Sequence, residues 1–218
     1  MGLTVTRVMA ALAFGLSAWA NPIVIFSTGV DAGGNPLSVG GADPHYRLVS
    51  APSGVPLTAV ATSPHPAWTP NTSTADWISP GNSGSTSWPV GTYDYQTTFD
   101  LTGLDPSTAQ LSGFGTSDND GCIFLNGVDT GSCDGFAQFG TLLPFSITSG
   151  FKPGINTLDL IVNNGGEVPS PTGVILEVSG TAAPLSSVPE PSSLSFFLAG
   201  GGLFGICTLR RRLFRLKA

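Results

Sequence analysis

The chain has very few basic residues between its two ends. Its 218 residues include eight Lys and Arg and fourteen Asp and Glu, and six of the eight basic residues lie close to the termini. Only Arg47 and Lys152 lie between residues 21 and 187, against thirteen acidic residues, a formal charge of −11 for this region. A surface that binds nucleic acid or an anionic membrane needs a positive field. We therefore expect this region to bind neither, whereas neutral ligands and cations remain open.

Residues that carry catalysis are also scarce. The two histidines, His45 and His65, are too few and too far apart for a zinc pattern, and no Gly-x-Ser-x-Gly segment presents a serine nucleophile. A glycosidase needs two neighbouring carboxylates, and nothing in the sequence singles out such a pair. The sequence predicts a protein that is not an enzyme, with a secreted glycoside hydrolase as the alternative.

Strong helix formers are rare in the middle of the chain, where Gly, Pro, Ser, Thr and Asn are frequent. Tyr93, Tyr95 and Phe99 alternate with polar residues, which is the period-two pattern of a strand with one buried and one solvent-exposed face. Residues 51–91 are rich in turn formers and contain Trp68 and Trp77, which either close the core or line a surface. Seven or eight short strands without helical crossovers predict an all-β, antiparallel β-sandwich. The other runs with strand character cover residues 23–30, 43–49, 108–115, 122–126, 145–148, 158–162 and 174–178.

The first twenty residues have the order of a secretory signal peptide. Arg7 precedes an apolar run over 8–16, and Ala18 and Ala20 provide the small residues that signal peptidase requires. The apolar run is too short to span a membrane. We predict a signal peptide over 1–20, a β-sandwich domain over 21–182 and a linker over 183–187.

The last thirty-one residues, 188–218, have three parts. Residues 192–209 contain no charge and, as a helix, would extend about 27 Å, just enough to cross a bilayer. A basic end over 210–217 would keep the carboxyl terminus cytoplasmic. Prolines on both sides of one glutamate keep the preceding junction extended, as a processing protease requires. The junction consists of Val188, Pro189, Glu190 and Pro191, and the basic residues are Arg210, Arg211, Arg212, Arg215 and Lys217.

This order of Pro-Glu-Pro, apolar span and basic end resembles the PEP-CTERM sorting tail. The resemblance implies recognition by an exosortase, a membrane protease that releases its substrates to the cell surface or extracellular matrix of certain Gram-negative bacteria. The protein would then be exported, pass through the inner membrane as a single-pass intermediate and be trimmed near Pro189. A permanent tail anchor is the alternative.

A second resemblance covers residues 25–180. The segments 43–46, 77–80, 91–101, 117–119, 123–127, 151–158 and 162–164 resemble exported PEP-CTERM proteins with a galactose-binding-like jelly roll. This resemblance implies a binding domain rather than a catalytic one. A carbohydrate-binding or adhesive module for exopolysaccharide and a purely structural matrix protein are the alternatives for the domain.

Cys122 and Cys133 lie eleven positions apart around residues 126–131, which have strong turn character. The third cysteine, Cys207, falls in the apolar span. After export to an oxidising compartment, Cys122 and Cys133 can form a disulfide bond worth about 3 kcal/mol. Two free buried thiols are the alternative.

Two further groups of residues are candidates for ligand binding. Asp118, Asn119 and Asp120 place three oxygen ligands on one turn, which suits calcium, although the same residues are ordinary turn formers. Calcium is the one cofactor for which the sequence offers a candidate site. Aromatic faces next to amides bind sugars, because a pyranose combines an apolar C–H patch with hydroxyls. The candidates for such a glycan site are Trp88, Asn126, Asn163 and Asn164.

Overall fold

Two antiparallel sheets stack face to face and enclose the main apolar core. The computed structural model describes residues 20–135 and 137–185. The strands are β1 (Asn21–Pro22), β2 (Arg47–Ser50), β3 (Val60–Ala61), β4 (Ile78–Ser79), β5 (Gly91–Asp100), β6 (Gln110–Asp118), β7 (Asp120–Leu125), β8 (Val128–Asp134), β9 (Leu143–Ile147), β10 (Ile155–Asn164) and β11 (Gly173–Ala182). The described ranges contain no α-helix, only a 3-10 turn at Pro106–Thr108.

The strand order places the longest strands at the centre of each sheet. The first sheet has the order β3-β4-β11-β6-β9, with β1 also paired to β11, and the second sheet has the order β2-β5-β10-β7-β8. Every pairing between named strands is antiparallel. The prediction of an all-β antiparallel sandwich is therefore confirmed. Three strands have two residues each, and the other eight are longer.

The alternation in β5 and β10 builds the centre of the core. Tyr93, Tyr95 and Phe99 of β5 are buried, as are Leu158 and Leu160 of β10. In the register of the two strands, Tyr95 lies opposite Leu160. Burial of each large apolar side chain contributes about 1.5–3 kcal/mol, so this face accounts for much of the stability of the domain.

The hairpin between β7 and β8 is tighter than the sequence suggested. Residues 126–131 read as one extended turn, but only Asn126 and Gly127 form it, with φ of 53° and 80°. Positive φ at both central residues is the geometry of a two-residue hairpin turn whose twist matches the strands. Residues 128–131 already belong to β8.

The expected strand over 23–30 does not form as a regular ladder. The backbone N–H of Ile23 donates to Gly180 and that of Thr28 to Leu176, so the segment does follow β11. However, the Thr28 and Ser27 hydroxyls, rather than main-chain carbonyls, accept hydrogen bonds from backbone amides of β11. Ser and Thr side chains compete with the ladder in this way, which explains the irregular backbone.

The loop-rich region 51–91 covers part of the outer face of the first sheet. Trp68 and Trp77 stack with ring centroids 4.2 Å apart and bury Ile175, which points outward from β11. Together with Ala75 they form a second apolar cluster, separate from the core between the sheets. Trp68 and Trp77 therefore close a core instead of lining a surface.

The segments predicted to direct export fall almost entirely outside the described residues. This applies to 1–19 with Ala18, to 186–187 of the linker and to the whole tail 188–218. Ala20 is described and is exposed immediately before β1. Within the described ranges, no helix has the length and apolar character needed to traverse a bilayer.

Candidate functional site

The four residues predicted to bind a glycan do not meet at one place. Asn126 lies beside the start of β10, where its backbone N–H donates to the backbone carbonyl of Thr157 at 2.9 Å. Asn163 and Asn164 end the same strand. Thr157 and Asn163 are six positions apart on the strand, a span of about 20 Å. The predicted residues therefore occupy opposite ends of the sandwich.

Asn164 is a structural residue. It is fully buried, and its Nδ2 donates to the carbonyls of Trp88 (2.9 Å), Pro89 (3.1 Å) and Ser170 (3.2 Å). Its Oδ1 accepts a hydrogen bond of 2.7 Å from Ser170 Oγ. The amide thus joins the segment before β5 to the loop before β11, and its polar atoms are occupied by the protein itself.

Asn126 is engaged in the same way at the other end. Its Nδ2 donates to the carbonyl of Gly150 at 2.9 Å and to Asn156 Oδ1 at 2.8 Å. Its Oδ1 accepts from the N–H of Thr157 at 3.1 Å. Because its backbone has positive φ and its side chain is bonded on both atoms, Asn126 serves the hairpin turn.

Trp88 and Asn163 are more exposed to solvent than Asn164. Trp88 is half-buried against the main core, and its Nε1 is buried without a hydrogen-bond partner among the described residues. Asn163 is exposed, and its Nδ2 donates to Asp120 Oδ1 at 3.2 Å.

The three oxygen ligands predicted for calcium each have a different partner. Asp118 Oδ2 accepts from Trp68 Nε1 at 2.7 Å, and Asn119 Oδ1 accepts from the N–H of Gly165 at 2.7 Å. Asp120 accepts from Asn163, as described above. Calcium needs six to eight oxygens that converge on one point, whereas these side chains are turned to separate partners. The calcium site stays a prediction.

Cys122 and Cys133 form the predicted disulfide bond across β7 and β8. They are direct partners in the register, with Cα atoms 4.1 Å apart. Asp129 lies close to both sulfur atoms, but sulfurs bonded to each other are not thiolate ligands for a metal.

Asp134 is a half-buried acceptor that the sequence did not reveal. Its carboxylate accepts from the N–H groups of Ser117 and Gly121 and from the hydroxyls of Ser117 and Thr116. Burial raises the pKa of Asp134, and these hydrogen bonds partly oppose that rise. The carboxylate connects the end of β8 to the turn between β6 and β7, which makes it a structural residue.

A cleft of about 250 Å³ opens between the sheets beside Asp134. Its apolar lining comes from both sheets and includes Ile123, Phe145, Leu160 and Leu176. Of the polar groups in its wall, the hydroxyls of Thr116 and Ser117 donate to Asp134. The cleft therefore offers mainly apolar contact.

A second depression lies on the outer face of the first sheet, which we call the Phe114 groove. It has a volume of about 560 Å³, and its lining includes Ser27, Thr74, Ser112, Phe114, Pro144, Glu177 and Ser179. Phe114 is 48% exposed. The sequence held a signal for it: Leu111 points inward from β6, so Phe114, three positions later, must point outward.

The comparisons with known proteins concern the tail. Residues 187–212 match the family model of the PEP-CTERM protein-sorting motif. No curated protein matches the chain. The matched range contains the Pro-Glu-Pro junction, the apolar segment and the first three arginines. The chain thus carries a PEP-CTERM sorting motif behind an all-β domain.

Proposed function

We propose that this protein is an exosortase substrate that is exported, held briefly in the inner membrane and released to the cell surface or extracellular matrix. The observation that carries the proposal is the PEP-CTERM motif at 187–212. The apolar segment 192–209 holds the intermediate, the arginines 210–212 stop its transfer, and the extended junction at 188–191 presents the cleavage site.

We propose further that the β-sandwich domain is not catalytic. Asp118 and Asp134, whose pKa values are raised by burial, accept hydrogen bonds from internal donors. Ser117, the hydroxyl next to both, is 3% exposed. Their hydrogen bonds support a role of these groups in the fold.

The experiment is intact-mass analysis of the protein released by its native host, with and without the exosortase gene. We expect the released chain to end near residue 190, to start near residue 21 and to be two hydrogens lighter than its reduced form. Loss of the exosortase should leave the full tail attached and the protein in the membrane fraction. Replacement of Pro189, Glu190 and Pro191 by alanine should do the same, whereas Glu167→Ala, at an exposed site in the domain, should be processed normally. A released chain that retains Lys217, or release that does not need the exosortase, overturns the proposal.

Carbohydrate binding is the second candidate for the domain. It is favoured by the exposed aromatic ring of Phe114 in a groove that also holds a carboxylate and serine hydroxyls. A purely structural matrix protein would bind no glycan, and a glycoside hydrolase would lose activity when one carboxylate is changed to its amide.

A further inference from the structure

The floor of the Phe114 groove consists of ordered rows of side chains on three adjacent strands. In the first row, Phe114 of β6 lies between Glu177 of β11 and Pro144 of β9. Strands lie about 4.8 Å apart, so the three side chains form a continuous surface about 10 Å wide.

The second row lies two residues away from the first on each strand and contains only serines. Ser112 of β6 is opposite Ser179 of β11 and Ser146 of β9, and all three are exposed. Ser112 and Ser179 line the groove, and Ser146 lies beside it. Each hydroxyl can donate and accept a hydrogen bond. An exposed aromatic face is therefore bordered by a line of hydroxyls at strand spacing.

Glu177 is fixed in position by two threonines from the region 51–91. The hydroxyls of Thr72 and Thr74 both donate to Oε1 of Glu177, at 2.5 and 2.7 Å. Within the described part of the chain, these bonds leave Oε2 to accept from a ligand. A carboxylate held in this way loses little conformational entropy when a ligand binds.

The charge of the groove selects among ligands. Among the residues that the structure describes, Glu177 is the one charged residue in the lining, and the domain around it is strongly acidic. An anionic polymer would be repelled by this field, whereas hydroxyl groups of a neutral sugar can donate to Glu177 Oε2. The C–H face of a pyranose complements the ring of Phe114.

We propose that the Phe114 groove is a binding site for a neutral polysaccharide, with a sugar ring stacked on Phe114 and its hydroxyls bonded to Glu177 and the serines of the second row. This inference rests on the carbohydrate-binding function proposed above and assigns it to residues other than those that the sequence indicated. The volume of about 560 Å³ falls within the usual range of ligand sites.

The test is affinity electrophoresis of the full-length chain in a zwitterionic, sugar-free detergent. The gels contain laminarin, xylan, galactomannan or dextran as neutral polysaccharides and alginate as the anionic one. We expect at least one neutral polysaccharide to retard the protein and alginate not to. Phe114→Ala should weaken that binding at least tenfold, and Glu177→Gln at least threefold.

Two further variants separate a binding defect from misfolding. Ser112→Trp fills the groove from an exposed position without changing the core, and it should also abolish binding. Phe124→Ala is the matched control, because it removes a partly exposed phenylalanine from the other sheet and should leave retardation unchanged. If Phe114→Ala and Ser112→Trp bind as tightly as the wild type, the assignment of the binding site to the groove is overturned, while the carbohydrate-binding function stands. Retardation by alginate alone overturns the neutral class of ligand, and no retardation by any polysaccharide overturns the carbohydrate-binding function itself.

Discussion

Trp68 Nε1 donates a hydrogen bond of 2.7 Å to Oδ2 of Asp118, fifty positions further along the chain. This bond ties the loop-rich region 51–91 to the end of β6, where both groups are buried. Burial raises the pKa of Asp118, and the bond from Trp68 partly offsets that rise. An acid predicted as a calcium ligand thus has a structural partner.

Replacing Trp68 tests this pair. Trp68→Phe keeps most of the stacking on Trp77 but leaves Oδ2 of Asp118 without its indole donor. We expect the free energy of unfolding to fall by about 2 kcal/mol in urea denaturation, because a buried acceptor loses its partner. Trp88→Phe is the control: its Nε1 has no partner among the described residues, so the loss should stay below about 1 kcal/mol. Equal losses in the two variants would contradict the role given to the Trp68–Asp118 bond.

Asn163 and Asn164 are neighbours with opposite roles. Asn164→Ala removes a buried amide that bonds three carbonyls and one hydroxyl, and we expect it to lower stability by about 2–4 kcal/mol. Asn163→Ala changes an exposed side chain and should cost less than about 0.5 kcal/mol. Thermal unfolding of both variants, side by side, measures the difference. A stable Asn164→Ala protein would return this residue to the list of candidate ligand contacts.

Asp94 makes stability depend on pH. Burial, and secondarily the negative charge of Asp159, raises the pKa of Asp94 from 3.8 to about 6. The folded state therefore holds the proton more tightly than the unfolded state does. The free energy of unfolding should fall as the pH rises from about 4 to about 6 and then stay level with respect to this group.

The variant Asp94→Asn isolates that contribution. It should match the wild type at pH 4 and exceed its stability at pH 7 by about 1 kcal/mol, a value reduced for the partial exposure of the carboxylate. Urea denaturation at pH 4, 5, 6 and 7 gives the comparison. If the stability difference between Asp94→Asn and the wild type grows toward low pH, the direction given for the contribution of Asp94 is wrong.

The disulfide bond between Cys122 and Cys133 should stabilise the domain by about 3 kcal/mol, as expected for a loop of this length. The double variant Cys122→Ser, Cys133→Ser should unfold at a correspondingly lower urea concentration. Reductant should lower the midpoint urea concentration of the wild type but leave that of the variant unchanged. Thiol titration of the denatured protein released by its native host, which ends near residue 190 and so lacks Cys207, should find no free thiol. Two free thiols in the released protein would refute the bond.

The predicted strands were placed well where alternation was strong. β5 and β10 were recognisable because apolar side chains recur at every second position along much of each strand. β8 was missed because its Gly, Asp, Thr and Ser residues resemble a turn, and its strand state comes from pairing with β7. The run over 23–30 was wrong as a regular strand because Ser27 and Thr28 hydroxyls replace main-chain acceptors along β11.

The candidate site was less predictable than the fold. Asparagines that bind sugars and asparagines that hold loops have the same side chain, and only their hydrogen-bond partners separate the two roles. Alternation along β6 can indicate that Phe114 points outward, but only the register shows that Glu177 and Pro144 lie on either side of it.

The sequence by itself determined the sorting motif, the all-β character and the cysteine pair, because each depends on local order along the chain: a charge pattern, a two-residue period and a short spacing. The tertiary structure alone decided that Asn126 and Asn164 lie at opposite ends of the sandwich and that Phe114, Glu177 and three serines share one face. These relationships depend on strand register between segments up to about seventy positions apart, and the packing of the two sheets fixes that register.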